Sequence, residues 1–389
     1  PYPAYRDSGV KWIGQVPEHW KKMPFKRVAS ICNGHDYKEV ENADGAYPVI
    51  GSGGEFARAS DFMFDGESVL LGRKGTIDKP LYINGPFWAV DTMFYTKIAD
   101  NAFPKFVYYN ALTIPFGLYS TNTALPSMAG EDLSSHLIVA PDFEEQKAIA
   151  TCVDRETTRI DALITKKTRF IELLKEKRQA LITHAVTKGL DPNVAMKDSG
   201  VEWIGVVPAH WSVAILKRFV VFQRGHDLPS DTRVEGTVPV VSSGGYSGTH
   251  NVAIAKAPGI VTGRYGSLGE FTFVEEDYWP LNTALYSIEL HNNDHRFVWY
   301  LLQNISDLFL LYSAKAAVPG IDRNDIHEIY VAAPQHDEQR QIAKYLDEQC
   351  DRINAITEKT QRSIDLLKER RAAFITAAVT GQIDLRESA

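Results

Sequence analysis

Two long stretches carry apolar residues at close to a heptad spacing, with Lys, Arg and Glu between them. In the first, Pro141 to Val186, the seam runs through Ile149, Val153, Ile160, Ile164, Ile171, Leu174 and Leu181. In the second, Pro334 to Val379, it runs through Ile342, Leu346, Ile353, Ile364, Leu367 and Phe374. Such a pattern predicts helices that bury the seam against a partner, and the natural partner of each is the other. A proline precedes each helix; in the first, Asp142 can act as cap, with Glu145 as its capping-box partner. Roughly 44 residues at about 1.5 Å each give rods of about 65 Å, long enough to hold two domains apart. Parallel and antiparallel packing are both open at this point.

Outside the rods the pattern is of short β-branched and aromatic runs broken by Gly and Pro, such as Val69-Leu70-Leu71 and Ile260-Val261-Thr262. These read as strands and tight turns. Helices are expected near Phe103 to Leu112 and near Arg296 to Leu311. The runs occur twice. Asp7-Ser8-Gly9-Val10-Lys11-Trp12-Ile13-Gly14 returns as Asp198-Ser199-Gly200-Val201-Glu202-Trp203-Ile204-Gly205, and Gly34-His35-Asp36 as Gly225-His226-Asp227. The rods match at Glu145/Glu338, Gln146/Gln339, Asp154/Asp347 and Arg159/Arg352. The chain is therefore an α+β protein with an internal repeat and pseudo-twofold symmetry, in the order domain, rod, domain, rod: 1–140, 141–190, 191–333 and 334–389.

Composition narrows the class. At 389 residues, 44% hydrophobic and 23% charged, the chain reads as globular and multidomain. No apolar run approaches the length of a membrane span, no signal-peptide pattern opens the chain, and the absence of Met at position 1 points to a trimmed start. Cys32, Cys152 and Cys350 lack metal-ligand spacing and fit incidental thiols in a reducing cytoplasm. The net charge of −7 argues against a strongly basic nucleic-acid binder, so any DNA contact must be a local patch or be shared with a more basic partner.

Several candidate chemistries have bland counterparts. Glu145 and Lys147 resemble a fragment of a nuclease metal site, but the second copy puts Arg340 in place of Lys147 and Gln335 in place of Asp142, and Glu145 already has a helix-start role. Gly51-Ser52-Gly53-Gly54 lacks the rest of a dinucleotide fingerprint and reads as a tight turn. His19 and His210, each before a Trp, read as packing residues. What remains suits DNA: Gly72-Arg73-Lys74-Gly75 and Gly263-Arg264-Tyr265-Gly266 place cations, or a cation and an aromatic ring, on a turn that can reach phosphates or a guanine edge, while a solvated turn explains them equally. Between Tyr119 and Ala124, Asn122 and Thr123 stand in a frame where the second copy has Lys315 facing Asn122. Asn suits adenine and Lys guanine, though drift in a loop is a comparable explanation. The turns with Ser52 and Gly53, and with Ser243 and Gly244, complete the DNA-facing candidates.

These motifs together resemble the specificity subunit of type I restriction-modification systems. The likeness rests on Tyr5-Arg6-Asp7-Ser8-Gly9 through Pro17-Glu18-His19-Trp20, on Pro141 to Gln146 and Pro334 to Gln339, on the two Leu-Lys-Glu segments, and on the two Ala-Val-Thr endings. It spans nearly the whole chain. The departure at Gln335-His336, where the first copy has Asp142-Phe143, weakens the second helix cap. The resemblance implies two mixed, mostly β target recognition domains, each reading half of an asymmetric bipartite site in double-stranded DNA. It implies an antiparallel coiled coil that sets the spacer and docks two methyltransferase subunits. It also implies a cytoplasmic, non-catalytic subunit with no cofactor of its own; S-adenosylmethionine, ATP and Mg²⁺ belong to methyltransferase and restriction partners. A stand-alone nuclease and a non-DNA coiled-coil adaptor are the competing readings.

Overall fold

The computed structural model describes residues 2–120, 126–314 and 320–386. It divides into two compact units, the first formed by Pro1–Thr168 with Arg362–Ala389 and the second by Arg169–Gln361.

Unit 1 begins with an antiparallel pair, β1 (Tyr5–Asp7) and β2 (Gln15–Pro17), followed by β3 (Lys21–Pro24). A six-stranded sheet comes next, built from β4 (Ala29–Asn33), β5 (Tyr47–Gly51), β6 (Gly54–Ala59), β7 (Phe64–Gly72), β8 (Leu81–Ala89) and β9 (Met93–Ile98) in the order β4-β9-β7-β8-β5-β6. Only β5 and β8 run parallel. Helices α1 (Pro104–Ala111) and α2 (Gly130–Ser135) follow, and β10 (Leu137–Ala140) pairs with β3 before the long α3 (Phe143–Lys188).

Unit 2 repeats the plan. Strands β11 (Met196–Asp198) and β12 (Val206–Pro208) pair, and β13 (Ser212–Ile215) leads into β14 (Val221–Arg224), β15 (Val238–Ser242), β16 (Gly245–His250), β17 (Gly259–Gly263), β18 (Phe271–Val274), β19 (Trp279–Pro280) and β20 (Ala284–Glu289). Here the sheet is split into a four-stranded part, β14-β20-β17-β18, and a three-stranded part, β16-β15-β19. Pro258 stands where unit 1 has Glu67 in mid-strand; it has no N–H to give the ladder, and β17 starts only after it. Asp277 fills the interruption by accepting the Ala257 N–H at 3.0 Å and pairing with Lys256 at 2.6 Å. The helix expected over residues 296–311 is two helices, α4 (His295–Asn304) and α5 (Ser306–Ala314). The break at Ile305 falls among Asn, a β-branched residue and Ser, all weak helix formers. Helix α6 (Arg323–His327), strand β21 (Tyr330–Ala333) paired with β13, and α7 (His336–Val379) complete the chain.

The matched carboxylates and amides of the rods lock each domain onto its helix. Glu145 accepts hydrogen bonds from Tyr2 Oη (2.8 Å) and Trp20 Nε1 (3.1 Å) and meets His19 Nε2 at 2.9 Å. Glu338 repeats this with Trp211 Nε1 at 3.1 Å and His210 Nε2 at 2.7 Å. The buried Gln146 accepts from the Phe103 N–H and donates to the Pro141 carbonyl, and Gln339 does the same with Asp294 and Pro334. Asp154 holds Lys105 and Tyr109; Asp347 holds Arg296 and Tyr300, both at 2.8 Å. One half of the expected capping box is present, the Glu145 N–H donating to Asp142 Oδ1 at 3.0 Å. The Glu145 side chain does not return to the cap, because three aromatic donors claim it.

In each unit one rod's start lies beside the other rod's end. Ile149 and Val153 share a core with Ile375, Ala378 and Val379 in unit 1, where Arg371 Nε also meets Asp161 at 2.9 Å. In unit 2, Ile182, Ala185 and Val186 share a core with Ile342 and Leu346. The helices are therefore antiparallel. The seam shifts by one residue where each rod meets a domain: Ile182 and Ile375 are buried, while Leu181 and Phe374 are only half-buried. The cause is the change of neighbour, since these turns pack on Val207 and Trp211 in unit 2, and on Val16 and Trp20 in unit 1.

Candidate nucleic-acid interface

The two arginine turns have one backbone design. A Cβ on Gly72 would stand 2.3 Å from the Thr76 carbonyl oxygen, and one on Gly263 would stand 2.2 Å from that of Ser267. Gly75 and Gly266 then take φ of +83° and +80°, where other residues are strained. Both turns are pinned on two sides. The Arg73 and Lys74 N–H groups donate to the Thr92 carbonyl, and those of Arg264 and Tyr265 to that of Thr283. The Arg73 carbonyl accepts from Met128 N at 3.0 Å and the Arg264 carbonyl from Ile321 N at 2.9 Å. In both turns the arginine is half-buried and the next residue exposed.

Each turn forms a wall of a cleft, at the same place in the two units. The cleft in unit 1 has a volume of about 400 Å³ and includes Asn33, Arg73, Phe94, Tyr119, Ser127 and Asp132. That in unit 2 has a volume of about 740 Å³ and includes Arg224, His226, Asp227, Arg264, Tyr265, Asp322, Arg323 and Asn324. Arg73 Nη1 donates to the Asp91 carbonyl at 3.3 Å, and the guanidinium lies 5.9 Å from the Phe94 ring centre. The Arg264 guanidinium lies 4.7 Å from the Tyr265 ring centre. Two of the acids in unit 2 already have partners: Asp227 accepts from Asn282 Nδ2, and Asp322 caps α6 through the Asn324 N–H at 2.8 Å. The cleft therefore presents cationic groups although the chain as a whole is acidic.

The remaining candidates fall in different places. A Cβ on Gly266 would come within 3.6 Å of Ser243 Oγ, and one on Gly244 within 3.7 Å of Ser267 Oγ, so Ser243, Gly244, Arg264 and Tyr265 sit together. Ser52 and Gly53 form the β5–β6 turn, and a Cβ on Gly53 or Gly75 would meet nothing within 4 Å. Asn122, Thr123 and Lys315 lie outside the described residues. Residues not singled out from the sequence also line the clefts: Asn33, Arg224, His226, Arg323 and Asn324. A signal existed in the repeated Gly-His-Asp. Its glycine is required because a Cβ on Gly34 or Gly225 would stand 2.1 Å from the Val90 or Leu281 carbonyl oxygen, and the histidine that follows is exposed in both copies.

A family model described as the type I restriction modification DNA specificity domain matches residues 17–173 and again residues 209–366. The chain belongs to this family. It carries the domain twice, as the repeat requires. It is a DNA specificity subunit; such subunits are the non-catalytic components of restriction-modification complexes and have no cofactor of their own. The chain is similar to the type I restriction enzyme EcoBI specificity subunit of Escherichia coli, 20% identical over 423 residues, covering 97% of this chain and 89% of the relative. A chain from a structure concerned with complex assembly and conformational transition of the type I R-M system is 13% identical, with TM-score 0.72 over 95% of this chain and 99% of that one. The HsdS subunit of Thermoanaerobacter tengcongensis is 14% identical, with TM-score 0.53 over 97% and 100%. These two share the fold. Among the described residues no helix is long and apolar enough to cross a membrane.

Proposed function

We propose that residues 1–140 and 191–333 of this specificity subunit are target recognition domains, each reading one half of an asymmetric bipartite site in double-stranded DNA. The rods, 141–190 and 334–389, set the spacer and dock two methyltransferase subunits. The observation that carries the reading is the pair of clefts: one glycine-framed arginine turn made twice, lined by different side chains. Two readers of different sequences require a shared scaffold and divergent linings. Arg73, Lys74, Arg264 and Tyr265 face DNA from these turns; Ser52, Gly53, Ser243 and Gly244 approach it from the neighbouring hairpins, and Asn122, Thr123 and Lys315 add contacts of their own. S-adenosylmethionine is then bound by the methyltransferase partners and ATP with Mg²⁺ by restriction subunits, two of which complete the assembly, in the cytoplasm. Partners sharing the DNA accommodate the acidic charge of this chain.

The test is co-expression with the methyltransferase subunits, followed by selection from a pool of random duplex DNA. One bipartite motif with a fixed gap is expected. Adding one heptad-compatible segment at the same point in both rods should lengthen the gap and leave both half-sites unchanged. Altered half-sites would overturn the ruler role.

A further inference from the structure

The two clefts can be compared position by position, because the hydrogen bonds that build them set the correspondence. The Arg73 carbonyl receives Met128 N where the Arg264 carbonyl receives Ile321 N, so the residues that follow, Gly130 and Arg323, both opening a short helix, are equivalent. Asn33 and Arg224 are equivalent in the same way: each ends a strand, paired with Phe94 and Leu285 respectively. The shared arginine therefore cannot distinguish one sequence from another, whereas these two divergent positions can. At both of them unit 2 adds a guanidinium that unit 1 lacks.

The chemistry of those additions is specific. Arg224 and Arg323 are exposed and line the same cleft. Among the described residues Arg323 has no hydrogen-bond or ion-pair partner, and Arg224 has only a long 3.9 Å approach to Asp227, itself held by Asn282. A guanidinium without a partner, on a cleft wall beside a second one, suits the paired acceptors O6 and N7 of guanine in the major groove. At the position of Arg224 the wall in unit 1 offers Asn33 instead, which matches adenine.

We propose that the cleft in unit 2 reads guanine through Arg323 and Arg224, while Arg73 and Arg264 hold the DNA backbone in both units and the cleft in unit 1 reads adenine through Asn33. The proposal rests on the two-domain reading of DNA given above. The half-site read by unit 2 then contains guanine at one or two positions that the other half-site lacks, and Arg323 and Arg224 are the residues that specify it.

The experiment uses the full chain in complex with its methyltransferase subunits and a duplex pool with about 40 random base pairs, as a span that holds both half-sites and the gap. Arg323→Ala and Arg224→Ala are each expected to relax one guanine position in one half-site by about 10- to 100-fold. The other half-site should be selected unchanged, which also shows that each variant is folded. Replacing that guanine by 7-deazaguanine should weaken the wild-type complex and leave the matching variant unaffected, a result that a phosphate contact cannot produce. Arg73→Ala and Arg264→Ala should weaken all sequences alike and flatten the salt dependence. Three results overturn the guanine assignment while leaving the two-domain reading intact: a selected motif without guanine in the affected half-site, an equal loss on every sequence for Arg323→Ala and Arg224→Ala, or no effect of either. If the wild-type complex selects no motif at all, the two-domain reading itself fails.

Discussion

Units 1 and 2 keep the same skeleton and differ most at its surface. Trp20 and Trp211 are both fully buried on a rod carboxylate, and Gln146 and Gln339 make the same buried hydrogen bonds. The sheet is less alike, since β8 runs unbroken for 9 residues where unit 2 has β18 and β19 with a gap between them. The clefts are least alike, at about 400 Å³ against about 740 Å³ with different charge. Divergence is thus graded by burial and by the number of partners a residue holds. A residue with several buried partners changes only at a cost to all of them, whereas a cleft-wall residue exposed to water has few to lose.

The comparison is tested most severely by its anchors. Trp20→Ala and Trp211→Ala should each cost about 3–5 kcal/mol, from the cavity left and the carboxylate hydrogen bond lost. Urea denaturation should show nearly equal losses, each confined to its own unit; a loss in one copy only would end the claim of a shared skeleton. Acid should affect unit 1 next. Burial lowers the pKa of His136 to about 4, while Tyr119 Oη lies 2.8 Å from its Nδ1. The folded state keeps this ring neutral where the unfolded chain takes up a proton below about pH 6.5, so stability present at pH 7 is lost as pH falls toward 4. Between pH 7 and pH 4.5 the loss should be about 2–3 kcal/mol, absent in His136→Gln, whose urea midpoints should converge with those of the wild type in acid.

Smaller effects sharpen the match. Gln146→Ala and Gln339→Ala each leave a buried N–H and a buried carbonyl unpaired, an expected cost of about 1–3 kcal/mol apiece. Hydrogen exchange at Phe103 and Asp294 should quicken in step with each. Arg371→Ala removes a partly exposed pair with Asp161 and should lower stability by no more than about 1 kcal/mol. A larger loss in a thermal melt would show the pair fixing the alignment of the rods.

The repeat and the helical seams were legible because identity and period need no knowledge of contacts. The role of Glu145 was only half legible. Its place three residues after Asp142 indicates a cap, but nothing local reveals that Tyr2, His19 and Trp20 converge on it. The direction of packing was not in the residues either, since a seam is apolar whichever way its partner runs. Arg73 and Arg264 stood out because flanking glycines mark a turn. Arg224 and Arg323 did not: each lies at the end of a different element, and only the fold brings them to one cleft, as it brings Asn33 to the cleft of the other unit. The interruption of the sheet at Pro258 was visible in principle, as a proline inside a run of strand residues.

The division of the chain also bears on how it is made. Unit 2 is a single uninterrupted segment, whereas the core of unit 1 joins Val16 and Trp20 to Ala378, Val379 and Leu385. On a ribosome the second unit can fold as soon as it emerges, while the first must wait for the last turns of α7 with part of its apolar surface uncovered. Synthesis at about 5–20 residues per second makes that wait tens of seconds, long enough for chaperone capture or aggregation to compete. Of the two units, the one made earlier is the later to be finished, and a truncation within the last turns of α7 should be felt chiefly in unit 1.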